Sequence, residues 1–405
     1  MNIFNKNHIL LKAKSKLYNG LFREGYLFLK KEKYKFFLLN NSLSSKAEYF
    51  YLYGVFLANN GFYRRSILYL KKSLLYPDLD KSEILYYIIF SYLNLSNTKK
   101  VKYYFNKISE RSFDPFFILL SYYICIKNNI NLNISLDSLK YILPDTSDQI
   151  MDALTIALYH LLENKFDLAY DSIKIFHNKY KDYFFYNVIY LKILFKRKNY
   201  TDILNYFKIN SEYLVNIDIL FIFSATLYKI KFFDECIKIL NEVLFLNKNF
   251  IKATINLGKI NYLKGKYILA INYFKSALKK TMAKYKDEIH FYLSICCQRL
   301  GLLNDSIIYL KKISPDSDFY CYALFNLSLL NYDLCNYKNA KEIFSQINKE
   351  KISKDLYNKW EERIKNIDKK IGNGRILNKI IYFIPWLILI FSFLVLIIFY
   401  FIVKY

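Results

Sequence analysis

Two side chains of this sequence have the types and spacing to share a reaction. His290 and Cys297 stand seven residues apart, two turns along one face of a helix. A histidine that takes the proton of a cysteine thiol produces a thiolate nucleophile, the start of acyl-transfer chemistry. The pair lacks an orienting group and an oxyanion-stabilising loop, and no phosphate-cradling glycine run occurs in the chain. His8, His160 and His177 lie far apart, and none has a second ligand at metal spacing. Cys125, Cys236, Cys296, Cys297, Cys321 and Cys335 contain no C-x-x-C pair and read as reduced packing residues of a cytoplasmic domain. The expectation is therefore no enzyme, no metal and no cofactor. A hydrolase or enzyme regulator would require His290 and Cys297 to face one pocket together with an acid.

The elements that position these residues follow from a repeat. One position recurs at Ser66, Val101, Ser135, Ala169, Ile203, Cys236, Ala270, Ser306 and Ala340, at successive spacings of 35, 34, 34, 34, 33, 34, 36 and 34. Four residues later each copy has a large apolar residue: Leu70, Phe105, Leu139, Ile173, Phe207, Leu240, Phe274, Leu310 and Phe344. The i to i+4 spacing puts both on one helical face. Three residues before the recurring position, Tyr63, Phe166, Tyr200, Phe233, Tyr267 and Tyr337 are placed to open the second helix of a hairpin. A period near 34 predicts stacked helical hairpins, each covering the apolar face of its neighbour.

Glycine gives an independent check, because the chain has only nine. Gly54 with Gly61 and Gly258 with Gly265 keep the same places in their repeats. The first of each pair suits a close helix crossing and the second a left-handed turn, which Gly301 fills again. The weakest turn is the Asn-rich stretch 128–135, which reads as a longer loop.

Leu257-Gly258, Gly265, Tyr267, Ala270, Phe274 and Ala277 carry a resemblance to the tetratricopeptide repeat family, and Tyr53-Gly54, Gly61, Tyr63 and Ser66 give a second matching copy. Val101 and Ile203 depart from it by being bulky. The resemblance covers about residues 47 to 354 and implies an all-α, right-handed α-solenoid of about nine hairpins used for protein binding. It also implies that the first helix of each hairpin lines a concave groove. The repeat register then places Phe221, Ala225 and Tyr228, Ile255, Lys259 and Tyr262, Phe291, Ile295 and Gln298, and Phe325, Leu329 and Tyr332 on that lining. Earlier copies contribute Tyr86, Phe90 and Leu93, then Val188, Lys192 and Phe195. The predicted site is Phe221, Tyr228, Lys259, Tyr262, Phe291, Phe325 and Tyr332, suited to an apolar or aromatic helix or segment. The equal alternative is that these residues pack helix on helix. The Lys and Asn cluster with which some family members grip a C-terminal carboxylate is not reproduced.

Residues 1–46 read as a degenerate capping hairpin, with Gly20 matched to Gly54, Glu32 in the small slot and Phe36 in the large one. Residues 355–371, with Leu356, Trp360, Ile364, Ile367 and Ile371, read as an amphipathic closing helix. A short basic linker, 372–379, leads to Ile380–Val403, which are 24 residues without a charge. As a helix these would extend about 36 Å, enough to cross a bilayer. Tyr382 and Trp386 at one end and Tyr400 and Tyr405 at the other resemble aromatic belts, and the basic residues before the span put the solenoid in the cytoplasm. The pattern looks like a single-pass tail-anchored protein.

The net charge is +26, of which Arg375, Lys379 and Lys404 contribute three. Lys, Asn, Ile, Tyr and Phe are inflated together, so composition accounts for much of the charge. No nucleic-acid motif is present. The expected function is a membrane-anchored scaffold that binds partner proteins through its groove. The alternative is a basic peripheral binder of anionic lipid or nucleic acid, whose affinity would fall steeply with salt.

Overall fold

The computed structural model describes residues 4–366 apart from 40–41, 78, 80, 110–112, 146–148, 210–215 and 281–282. All regular elements among the described residues are helical. The chain divides into two compact units, Met1–Lys284 and Tyr285–Tyr405.

The first unit is a run of antiparallel hairpins. It begins with α1 (Phe4–Tyr18) and α2 (Phe22–Leu39), α3 (Leu43–Asn59) and α4 (Tyr63–Ser73), and α5 (Lys81–Asn94) and α6 (Thr98–Ile108). Next come α7 (Pro115–Lys127), α8 (Ile150–Leu162) and α9 (Phe166–Ile173), and the short α10 (His177–Tyr180). The unit ends with α11 (Phe184–Lys196) and α12 (Tyr200–Ile209), α13 (Ile217–Lys229) and α14 (Phe233–Leu246), and α15 (Ile251–Leu263) and α16 (Tyr267–Lys280). The second unit comprises α17 (Ala283–Arg299) and α18 (Leu303–Leu310), α19 (Tyr320–Asp333) and α20 (Tyr337–Ser345), and α21 (Lys354–Lys365). The six predicted opening aromatics are each the first residue of their helix, α4, α9, α12, α14, α16 and α20.

A left-handed residue joins the two helices of each hairpin. Gly20, Gly61, Ser96, Asn129, Asn164, Lys198, Lys231, Gly265, Gly301 and Cys335 all have φ between 55° and 82°. At Gly61 the amide donates to the Ala58 carbonyl at 3.1 Å and the Phe62 amide to Leu57 at 2.8 Å, the two bonds of a Schellman closure. Lys231 and Phe232 repeat it with Tyr228 and Leu227. A side chain in this conformation crowds its own carbonyl, which glycine avoids. Lys198→Gly and Lys231→Gly are each expected to stabilise the fold by about 0.5–1 kcal/mol after the added freedom of the unfolded chain is subtracted. Urea midpoints will show this as an upward shift, and a downward shift would refute strain at these turns.

Five residues past each turn stands the small slot. Ser66, Val101, Ala169, Ile203, Cys236, Ala270, Ser306 and Ala340 are buried there, as is every large apolar residue four positions on. The third copy differs: Ser135 is exposed in the Asn-rich loop, and a short 3-10 helix, Asp137–Ile142, replaces the second α-helix while still burying Leu139. The first hairpin corrects the sequence register. Gly20 is its turn residue, Gly25 takes the small slot and Leu29 the large one, both buried, in place of Glu32 and Phe36. Gly25 and Ser66 are 41 residues apart, seven more than the usual 34, and α2 accommodates the difference with 18 residues. A fixed period therefore slips two helical turns here.

The crossing glycines are required by contact. A Cβ on Gly54 would meet Leu70 Cγ at 2.7 Å, and one on Gly258 would meet the Phe274 ring at 2.6 Å. Gly265 and Gly301 have nothing within 4 Å, so only their positive φ calls for glycine.

The hairpins of the first unit wind until they meet the start of the chain. Asn216 Nδ2 donates to the Gly20 carbonyl at 3.1 Å, across 196 residues, while Asn216 Oδ1 caps α13 through the amides of Asp218 and Ile219. Phe22 lies edge-on to Phe184 at 5.0 Å, and Tyr18 stacks on Tyr183 at 4.8 Å. The Arg23 guanidinium sits 4.4 Å from the centre of the Phe245 ring. Helices α5, α7 and α11 are apolar nearly all round and are buried within this winding.

No helix among the described residues is long and apolar enough to cross a membrane. The predicted span 380–403, the linker 372–379 and the end of the predicted closing helix lie outside the described residues. The described part of that helix is α21, which buries Tyr357, Trp360 and Ile364.

Candidate protein-binding groove

The predicted lining residues fall in the two units and differ in burial. In the first unit, α13 and α15 are the first helices of consecutive hairpins and carry Phe221, Ala225 and Tyr228, then Lys259 and Tyr262, all half-buried. Ile255 is buried. Phe221 meets Phe250 edge-on at 5.2 Å. Tyr228 packs on Phe233 at 6.0 Å and Tyr262 on Tyr267 at 5.8 Å. Phe195 does the same with Tyr200 at 5.8 Å. In the last three pairs the last turn of one helix touches the aromatic that opens the next, so one ring face closes the hairpin. The earlier positions are more enclosed: Tyr86 and Val188 are buried, and Phe90, Leu93, Lys192 and Phe195 are half-buried.

In the second unit Phe291 is half-buried against Phe319 at 5.4 Å and Tyr322 at 6.3 Å. Ile295, Gln298 and Leu329 are also half-buried. Phe325 is only 8% exposed and lies against Trp360 of α21, whose ring also meets Tyr332 at 5.3 Å. The Trp360 indole donates to Ser328 Oγ at 3.2 Å, and Ser328 passes the chain of bonds on to the Ala340 carbonyl at 2.8 Å. The closing helix thus packs against α19. The 34-residue period could not reveal this, because α21 stands outside it.

His290 and Cys297 both lie on α17 of the second unit. Both are buried, His290 stacks on Tyr309 at 6.1 Å, and the Asp287 carboxylate accepts the Ser314 amide at 3.3 Å. Among the described residues there is no group of three His, Cys, Asp or Glu placed to hold a metal. Burial first, and then the nearby Lys312, hold the His290 pKa below its usual value. The unfolded state therefore binds a proton more readily at this position, so stability is full above about pH 6.5 and falls as the pH drops below it. The loss of urea midpoint between pH 7.5 and pH 5 is expected to be smaller in His290→Gln, and an equal loss would refute the assignment.

No protein-family model matches the sequence, and no curated protein matches it. Solved structures do match over most of the chain. A human IFIT1 dimer with PPP-AAAA aligns at a TM-score of 0.54 and 13% identity, covering 91% of this chain and 95% of that one. A monomeric IFIT1 mutant with m7Gppp-AAAA aligns at a TM-score of 0.54 and 14% identity, covering 91% and 90%. The TPR domain of P58(IPK) is also matched, at a TM-score of 0.30 and 12% identity over 90% of this chain and 99% of that one. The chain has a tetratricopeptide-like, all-α fold.

Proposed function

We propose that this protein is a scaffold that holds partner proteins on the inner face of its hairpins, with a peptide segment seated along α13 and α15. One observation carries the reading. Phe221, Ala225, Tyr228, Lys259 and Tyr262 are half-buried on the first helices of two consecutive hairpins, whereas Tyr86, Val188 and Phe325 are buried. Half-exposed aromatics whose other face is fixed lose little side-chain freedom when a ligand arrives, which favours them as anchors. In the second unit, taken by itself, Phe291 and Tyr332 are the candidate contacts. The apolar stretch 380–403 would hold the scaffold at a membrane, on its cytoplasmic side.

The test is crosslinking and pull-down of the intact chain from native membranes, beside an Ala225→Arg, Lys259→Glu variant that alters the size and charge of the proposed surface. Retained folding with loss of the captured protein supports the groove. Unchanged capture, or capture of only lipid or nucleic acid with a steep salt dependence, would overturn it in favour of the basic exterior. Deleting 380–403 is expected to move the protein from the membrane fraction to the soluble one.

A further inference from the structure

The second helices of the hairpins in the first unit are equivalent in the fold but not in charge. Helices α2, α4 and α6 together hold thirteen lysines and arginines against two glutamates, and α4 and α6 contain no acidic residue. Helices α9, α12 and α14, in the same role, hold two lysines against six acidic residues. A lysine-rich composition would raise the charge of every hairpin alike, so the reversal of sign sets the first three hairpins apart. Packing does not call for the excess, since α14 buries its own slot residues, Cys236 and Leu240, without it. Like charges three and four apart on one helix repel and cost stability.

The three basic helices are neighbours. Tyr26 of α2 meets Phe62, the residue before α4, at 5.5 Å, and Lys71 Nζ of α4 lies 5.9 Å from the centre of the Tyr104 ring of α6. Their exposed residues run in stripes. Leu27, Lys31, Tyr34 and Leu38 of α2 step by 4, 3 and 4, and Arg64, Leu68, Lys71 and Leu75, on and just after α4, do the same. Such steps keep each stripe on one helical face. On α6 the Lys100 and Lys107 ammonium groups each lie 5.3 Å from the centre of the exposed Tyr103 ring. The apolar and aromatic members, Leu27, Tyr34, Leu38, Leu68, Leu75 and Tyr103, are 49–83% exposed.

Two chemistries on one surface narrow the partner. Cations alone would suit the phosphates of a nucleic acid, but leucines set among them gain nothing against a hydrated sugar-phosphate backbone. An anionic bilayer meets both kinds of side chain. Its headgroups face the ammonium and guanidinium groups, and the acyl boundary a few Å deeper takes up leucine. Lysines whose stems lie on apolar neighbours keep their charge at the headgroup level, and tyrosine favours the same depth.

We propose that the exposed faces of α2, α4 and α6 dock on an anionic lipid surface. The basic residues supply the attraction, and Leu38 and Leu68 make the contact with acyl carbon. The inference does not rest on a peptide along α13 and α15, and the two fail separately.

Lysine acetylation of the intact chain, read residue by residue by mass spectrometry, tests the surface on vesicles of phosphatidylcholine and on vesicles that also contain phosphatidylserine. Any attachment through 380–403 is common to both vesicles and cancels in the comparison. Lys31, Lys72 and Lys102, all exposed, are expected to react about fivefold more slowly on the anionic vesicles at low salt, while the exposed Lys238 of α14 reacts equally on both. An Arg64→Gln, Arg65→Gln pair should cut that protection to less than about twofold, because it removes charge at exposed positions. A Leu38→Ser, Leu68→Ser pair, equally exposed, should do the same without changing the charge. Thermal melts at the wild-type temperature show that both variants keep the fold. Equal rates on the two vesicles overturn the proposal, and protection of the same lysines by a double-stranded oligonucleotide on neutral vesicles then assigns the face to nucleic acid. Protection of Lys238 as strong as that of Lys72, or full protection in the Leu38, Leu68 pair, would also overturn it.

Discussion

Trp360→Ala is expected to cost the second unit about 3–5 kcal/mol, the loss typical of a large aromatic truncated inside a core. The indole is 3% exposed and sits on Phe325 and Tyr332, and its N–H donates to Ser328 Oγ, itself buried. Truncation opens a cavity and removes a hydrogen bond from a hydroxyl that cannot reach water, so two penalties fall at one position. The last hairpin has no further repeat to cover it, and α21 does that work through this residue and its neighbours Tyr357 and Ile364. Amide exchange in α19 and α20 reads the effect directly, with protection expected to collapse toward local unfolding. Trp360→Phe keeps the ring contacts without the donor and should retain more than half of the stability. If Trp360→Ala left exchange in these helices unchanged, the closing role of α21 would be wrong.

The second large effect is at Phe274. Its ring is fully buried and lies where a Cβ on Gly258 would have to go. Phe274→Ala is expected to destabilise the first unit by about 3–5 kcal/mol. Gly258→Ala should also destabilise it, because the overpacking cost of about 1–3 kcal/mol exceeds the roughly 1 kcal/mol that alanine gains over glycine in a helix. The two changes are coupled through one contact. Adding Phe274→Leu to Gly258→Ala should therefore cost less than the sum of the single changes, and strict additivity in urea midpoints would show that the ring is not what excludes a side chain at position 258.

Both effects bear on how much was legible beforehand. The slots of Gly258 and Phe274 follow from the period, and their contact is a consequence of stacking one hairpin helix on the other. Trp360 was legible as part of an apolar stripe, Leu356 to Ile371, but what that stripe covers was not. Phe325 shows the result: its register marks it as groove, and its surroundings make it core.

Residue periodicity determined the hairpins, the residues that open their second helices and the buried small and large slots, because each of these depends on contacts within one repeat or with the next. The register of the first hairpin escaped it, since α2 carries one additional heptad. Tertiary structure alone decided which of the predicted lining residues are buried. The return of the chain onto its own N-terminal hairpin, through Gly20 with Asn216 and Phe22 with Phe184, joins residues more than 160 positions apart. It results from small rotations accumulated over successive hairpins, and no local spacing records that sum.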